Sequence, residues 1–234
     1  MELLLTLATL AAVWVGTPYV LGPIAVWRTL SVPERHVYPR LDAAELLAGD
    51  VRAQRPHADL LGQGFVAAGA TRVDNVHGLL YVCPDDGATA CLMLTRKFVA
   101  TVFSQRFLRT RLSLSNVPLP SPYPRWDRKI DHHLPGCRDV APLFAHFRAI
   151  RARLALPDPV PATAQCALEQ AEAFENEQLT HLVEIGYFAA MPHNGRRRAT
   201  FPGALKMAWK LAWPSKSIVL ALAARHARRV AGID

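Results

Sequence analysis

Between Leu3 and Val26 the chain runs for 24 residues without a charged side chain, LLLTLATLAAVWVGTPYVLGPIAV. No other stretch limits the fold as strongly, because so long an apolar run demands apolar surroundings. As one helix rising about 1.5 Å per residue it would reach about 36 Å, against about 30 Å for the hydrocarbon core of a bilayer. The sequence therefore predicts a transmembrane helix over residues 1–30, closed by Trp27 and Arg28 as interfacial anchors. A cleavable signal peptide is disfavoured, because Met1 and Glu2 supply no positive charge and no small-residue cleavage site follows. Gly16, Pro18, Gly22 and Pro23 interrupt the run, and a kinked span is favoured over a re-entrant one. Arg28, Arg35 and Arg40 follow the run, whereas only the α-amino group and Glu2 precede it. The positive-inside bias then predicts a single-pass protein of the cell membrane with a cytoplasmic body.

Cys83, Cys91, Cys137 and Cys166 form no disulfide framework, which agrees with a reducing compartment. Were the orientation reversed, Cys83 and Cys91 are the pair that a hairpin would bring together. With 51% apolar residues and a mean hydropathy of +0.10, the 234-residue chain is neither disordered nor of low complexity.

The net charge of +8 is distributed unevenly. Residues 1–153 carry a net +6, residues 154–195 a net −6 with no Lys or Arg, and residues 196–234 a net +8. The tail alone thus equals the excess of the whole chain.

After a Pro-punctuated connector, LDAAELLAGDVRAQ reads as a helix with Asp42 as N-cap and Glu45 completing a capping box, and HADLLGQ adds a further helical turn. From Phe65 the apolar period changes to two. Five strands are predicted: Phe65–Arg72, Gly78–Cys83, Ala90–Thr95, Phe98–Gln105 and Leu108–Asn116. Their short connections, including Pro84-Asp85-Asp86-Gly87, dictate an antiparallel meander. Prolines 118, 120, 122 and 124 mark an irregular loop that ends in WDRKIDHHLPGC. A helix then follows from Asp139 to Leu154, and a second, acidic one spans about Thr163 to Ile185. A sheet followed by helices, without βαβ alternation, is α+β. The expected layout is an anchor (1–30), a helical connector (31–63), an α+β body (64–190) and a basic amphipathic tail (191–234).

In the tail, FPGALKMAWKLAWP sets Lys206 and Lys210 one turn apart and Trp209 and Trp213 one turn apart, the composition of an interfacial helix. Arg196, Arg197, Arg198, Lys206, Trp209, Lys210, Trp213, Lys216, Arg225, Arg228 and Arg229 are the candidate contacts to an anionic lipid surface. In the competing readings the tail packs on the body with its tryptophans inside, or folds against the acidic helix. Nucleic acid is disfavoured, since no recognition helix or RNA-binding motif is present.

No Walker loop, G-x-G-x-x-G, H-E-x-x-H, G-x-S-x-G or C-x-x-C occurs. The densest cluster of chemistry is Asp131, His132, His133 and Cys137, competent metal ligands for which His146 and His193 are the nearest partners. Cys137 with His132 or His133 as base is the corresponding nucleophile reading. Arg106, Arg109 and Arg111 are candidates for an anion site on the sheet, and His181 for a pair with Glu177 or Glu184.

These features favour a non-enzymatic module held at the cytoplasmic membrane face, binding a lipid, a small ligand or a membrane partner protein without a cofactor. The alternative is a membrane-associated enzyme using the Asp131–Cys137 loop through metal or thiol chemistry. A third reading has the acidic helix recruiting a basic partner.

Overall fold

The computed structural model describes residues 1–233. Asp234 and the side chains of residues 3, 4, 7, 8, 10–12 and 15, which fall in the predicted span, lie outside the described residues. Two compact units divide the chain, each assembled from three separate segments. A helical unit takes Met1–His36, Leu119–Pro124 and Glu175–Ala221. A sheet unit takes Val37–Pro118, Arg125–Phe174 and Leu222–Asp234.

The sheet unit is built on six strands in the order of the chain: β2 (Val66–Val73), β3 (Val76–Val82), β4 (Thr89–Leu94), β5 (Val99–Arg106), β6 (Arg111–Ser115) and β7 (Lys129–His133). Strands β2 to β6 pair antiparallel, whereas β7 pairs parallel with β6. Asp74 (φ 50°) and Gly87 (φ 64°) take the left-handed conformation that tight turns need. Alternation then divides the side chains between two faces. One face carries Leu79, Tyr81, Leu92, Phe103, Leu112 and Leu114. It packs on α3 (Val51–Gly62) and α4 (Val140–Arg153) through Leu60, Leu143, Phe144, Phe147 and Ile150. Ala227 and Ala231, from the part of α7 (Ser215–Ala231) belonging to this unit, join the same core. The other face meets the segment around Ala162 and the start of α5 (Ala167–Glu184).

The helical unit joins α1 (Glu2–Thr29) to α6 (Phe201–Leu211). Tyr19 lies edge-on to Trp209, Trp27 edge-on to Phe201, and the Tyr19 hydroxyl is 2.8 Å from Ser215 Oγ. Strands β1 (Ser31–Pro33) and β8 (Arg196–Arg198) pair antiparallel beside a core of Leu179, Leu182, Tyr187, Phe188 and Met207. The Thr200 hydroxyl caps α6 by accepting from the Gly203 amide at 3.1 Å.

Several expectations are corrected. Among the described residues no helix is long and apolar enough to cross a membrane. This overturns the transmembrane anchor, the single-pass placement at the cell membrane with its cytoplasmic orientation, and the membrane-anchored function in both its versions. Helix α1 does form, but Pro18 and Pro23 lie inside it, and around Tyr19 and Gly22 it is a packing partner of α6. The sheet has six strands rather than five. The sixth, β7, comes from the segment read as loop, because Ile130 and the buried His132 can face the core while Lys129, Asp131 and His133 face away. The first predicted connector helix is broken in two: Asp42 caps α2 (Ala43–Gly49), and Asp50, in an extended conformation, ends it and caps α3.

Candidate functional site

A band of polar side chains in the sheet unit lies on the face turned away from α3 and α4. Register places Thr89, Ser104, Ser113 and Asp131 in one row across β4 to β7, and Arg106, Arg111 and Lys129 in the next. Neighbours in these rows bond to one another. The Ser104 and Thr89 hydroxyls are 2.8 Å apart, an Arg111 guanidinium N–H donates to Ser104 Oγ at 3.0 Å, and the Ser113 hydroxyl donates to the Asp131 carboxylate. Lys129 Nζ lies 3.3 Å from Asp131, and Ser115 Oγ lies 3.0 Å from His133 Nδ1. Burial holds the His133 imidazole below its ordinary pKa and Lys129 lowers it further, against the opposing pull of Asp131.

Helix α5 covers part of this face. The Arg111 guanidinium carbon sits 4.8 Å from the centre of the Phe174 ring, and Trp126 packs against that ring at 5.5 Å. Beneath lies a cavity of about 40 Å³ lined by Thr89, Ser104, Arg106, Arg111, Gln170 and Phe174, with Leu80, Ala162 and Ala167 adding apolar surface. Two further hollows lie among the described residues of the unit. The larger, about 440 Å³, is bordered by Asp42, Asp50 and Arg72. There the aspartates cap α2 and α3, and Arg72 Nε donates to the Asp74 carbonyl at 3.0 Å. The other, about 130 Å³, lies among Leu134, Cys137, His146 and Arg228.

The four residues of the Asp131–Cys137 cluster are not brought together. Alternation along β7 turns Asp131 and His133 to the polar face and His132 to the core, where it stacks on His226 at 5.5 Å. Cys137 lies beyond the strand, and burial, then the Asp139 carboxylate, raises its thiol pKa, the opposite of what activates a nucleophile. Among the described residues no group of three or more His, Cys, Asp or Glu is placed to hold a metal ion. His146 borders the hollow beside Arg228, and His193 lies in an exposed turn before β8.

Of the three arginines singled out in the sequence, Arg106 and Arg111 are cross-strand partners. Arg109 is exposed in the turn between β5 and β6, and its place in the row is taken by Lys129. Thr89, Ser104, Gln170 and Phe174 were not identified by sequence reasoning. Ser104 and Arg106, alternating with the buried Phe103 and Gln105, are the signal that could have found the polar face.

The basic tail is in large part engaged within the protein. In the helical unit, Arg196 donates to the Ser31 hydroxyl and carbonyl, and Arg197 donates to the Ala189 and Ala190 carbonyls and lies 3.7 Å from Glu34. Arg198, though exposed, pairs in β8 with Ser31. Lys206 lies over the Tyr187 ring, and Lys210 donates to the Tyr123 carbonyl. Trp209 and Trp213 are each 54% exposed, Trp213 resting on Trp14, and Lys216 is half-buried. In the sheet unit Arg225, Arg228 and Arg229 are exposed on α7, where the Arg229 carbonyl accepts from Arg153 at 3.4 Å. Two glutamates of the acidic helix bind the connector: Glu169 lies 3.6 Å from Arg40, and Glu172 accepts from the Tyr38 amide at 3.0 Å. His181 also has partners within the protein.

Fold and site together define an α+β protein whose sheet turns a pre-bonded polar face toward a small cavity. No family model matches the chain, and no curated protein or solved structure matches it.

Proposed function

We propose that the sheet unit is a binding module for a small ligand, seated on the polar face of the sheet under the start of α5. The observation that carries this reading is the state of the cavity walls. Ser104, Thr89 and Arg111 are already tied to one another, and Phe174 stacks on the guanidinium. Side chains held in this way lose little freedom when a ligand arrives, which is how a binding site avoids the entropic cost of ordering. An apolar lining with a few fixed polar groups is also the common composition of small-molecule sites.

The test is a nuclear magnetic resonance screen of the full chain against a fragment set of carboxylates, phosphates, polyols and amides. Fragments that bind should shift the amide resonances of Thr89, Ser104, Arg106 and Gln170 together. Fragment binding that clusters elsewhere, or no shift at those four positions, would refute the reading.

A further inference from the structure

We infer that the group this site recognises is a compact oxyanion, a carboxylate or a phosphoryl group, held between Arg106 and Arg111. The inference rests on the proposed ligand site and adds the chemistry of what fills it. Arg106 and Arg111 stand directly opposite each other across β5 and β6, on the same face, and both line the cavity. Guanidinium N–H groups arrayed in this way match the paired oxygens of a carboxylate or phosphate, and such charge-assisted bonds are about twice as strong as neutral ones. Arg111 is the better fixed of the two. Ser104 Oγ takes one of its N–H groups at 3.0 Å, and the Phe174 ring lies 4.8 Å from its central carbon. Both arginines also have partners within the protein, so an incoming anion joins an existing set of contacts.

The row continues with Lys129, whose ammonium is 3.3 Å from Asp131. The cavity limits what can enter. Its volume of about 40 Å³ has room for about three waters, each needing roughly 10–15 Å³ of such space. Only a head group fits, and the rest of a ligand would project outward. The apolar lining of Leu80, Ala162 and Ala167 offers no side-chain hydrogen bonds, which leaves the arginines, the Thr89 and Ser104 hydroxyls and the Gln170 amide to select the group.

Acetate and acetamide separate charge from shape, since they are nearly isosteric and differ in charge. The full chain is titrated with sodium acetate, acetamide and sodium phosphate at constant ionic strength, reading the Thr89, Ser104 and Arg106 amides and the Arg111 side chain. The expected result is saturable shifts with acetate, phosphate or both. Acetamide should bind at least about tenfold more weakly, and Arg111→Gln and Arg106→Gln should each weaken the anion by a similar factor. Should Arg111→Gln lose the dispersed spectrum of the folded protein, Arg106→Gln carries the test. Equal shifts with acetamide and acetate would overturn the anion inference and leave the ligand site standing. Anion shifts undiminished in a folded variant would overturn it too. No shift at these positions with any of the three probes would remove the site itself. A preference for phosphate over acetate would assign the phosphoryl group, and the reverse preference the carboxylate.

Discussion

His132 is a buried histidine, 4% exposed, whose two ring nitrogens have no hydrogen-bond partner. Its ring lies 5.5 Å from that of His226 on α7, with 14° between their planes. Burial is the main force depressing its pKa, from 6.5 to about 4. His226 and His133 add to the depression, and Asp131 opposes it. The folded state therefore binds this proton more weakly than the unfolded chain does. The stability that a neutral His132 permits is fully present above pH 6.5 and is lost as the pH falls toward 4. At about 1.36 kcal/mol per pKa unit the full loss is about 3 kcal/mol, and by pH 4.5 most of it has gone. The assay is hydrogen exchange of the β6 and β7 peptides in a urea series at pH 7.5, 6.0 and 4.5, comparing the wild type with His132→Phe. Phenylalanine keeps a ring in the core and cannot titrate, so His133 and His146, whose pKa values burial also lowers, contribute alike to both proteins. The wild type should lose about 2 to 3 kcal/mol more than the variant between the highest and lowest pH. Equal losses in the two proteins would show that His132 is not the group whose burial opposes protonation.

In the helical unit, Gly203→Ala would place a Cβ 2.4 Å from the Tyr187 carbonyl oxygen, a backbone atom that cannot step aside. The cost should be about 1 to 3 kcal/mol or more. Four of the five tryptophans, at positions 14, 27, 209 and 213, belong to this unit, so intrinsic fluorescence during urea unfolding reads the effect. Gly22→Ala, whose Cβ would meet the Ala208 side chain at 3.6 Å, is the contrasting control and should change stability little. In the sheet unit, Phe103 is fully buried and meets Phe65, Phe144 and Phe147 at centroid distances of 5.6, 5.0 and 6.0 Å. Phe103→Ala should cost about 3 to 5 kcal/mol, seen as lost exchange protection across β4 to β6, and a loss under 1 kcal/mol would contradict this packing.

Local pattern was a good guide wherever the fold is local. Strands β2 to β6 follow from a period of two and short turns, and the Asp42 cap from its spacing to the helix. Strand β7 is different in kind. Lys-Ile-Asp-His-His holds one aliphatic residue, follows a Pro-rich stretch, and acquires its partner from a strand that ended 13 residues earlier. A parallel neighbour of that sort leaves no turn signal in the sequence. The same limit applies to Arg196 and Arg197, which read as contacts to an anionic lipid surface: nothing in the local pattern signals their hydrogen bonds to Ser31 and to the Ala189 and Ala190 carbonyls. The 24-residue run shows a related difficulty: apolar composition reveals that a helix wants apolar neighbours but not which ones, and α6 supplies some of them. The candidate site was half visible. Arg106 and Arg111 stood out, but a strand boundary displaced by three residues drew in Arg109, and the contributions of Thr89 and Phe174 depend on register and on α5.

The division of each unit into three separated segments bears on how the protein is made. A ribosome delivers residues in order, yet the interior of the sheet unit includes Ala227 and Ala231. Helices α3 and α4 can cover most of the sheet's apolar face early, but the part that those alanines complete stays open until the end of synthesis. A chain stopped at Gly195 would therefore lose more than a peripheral tail: it would lack a part of its own core.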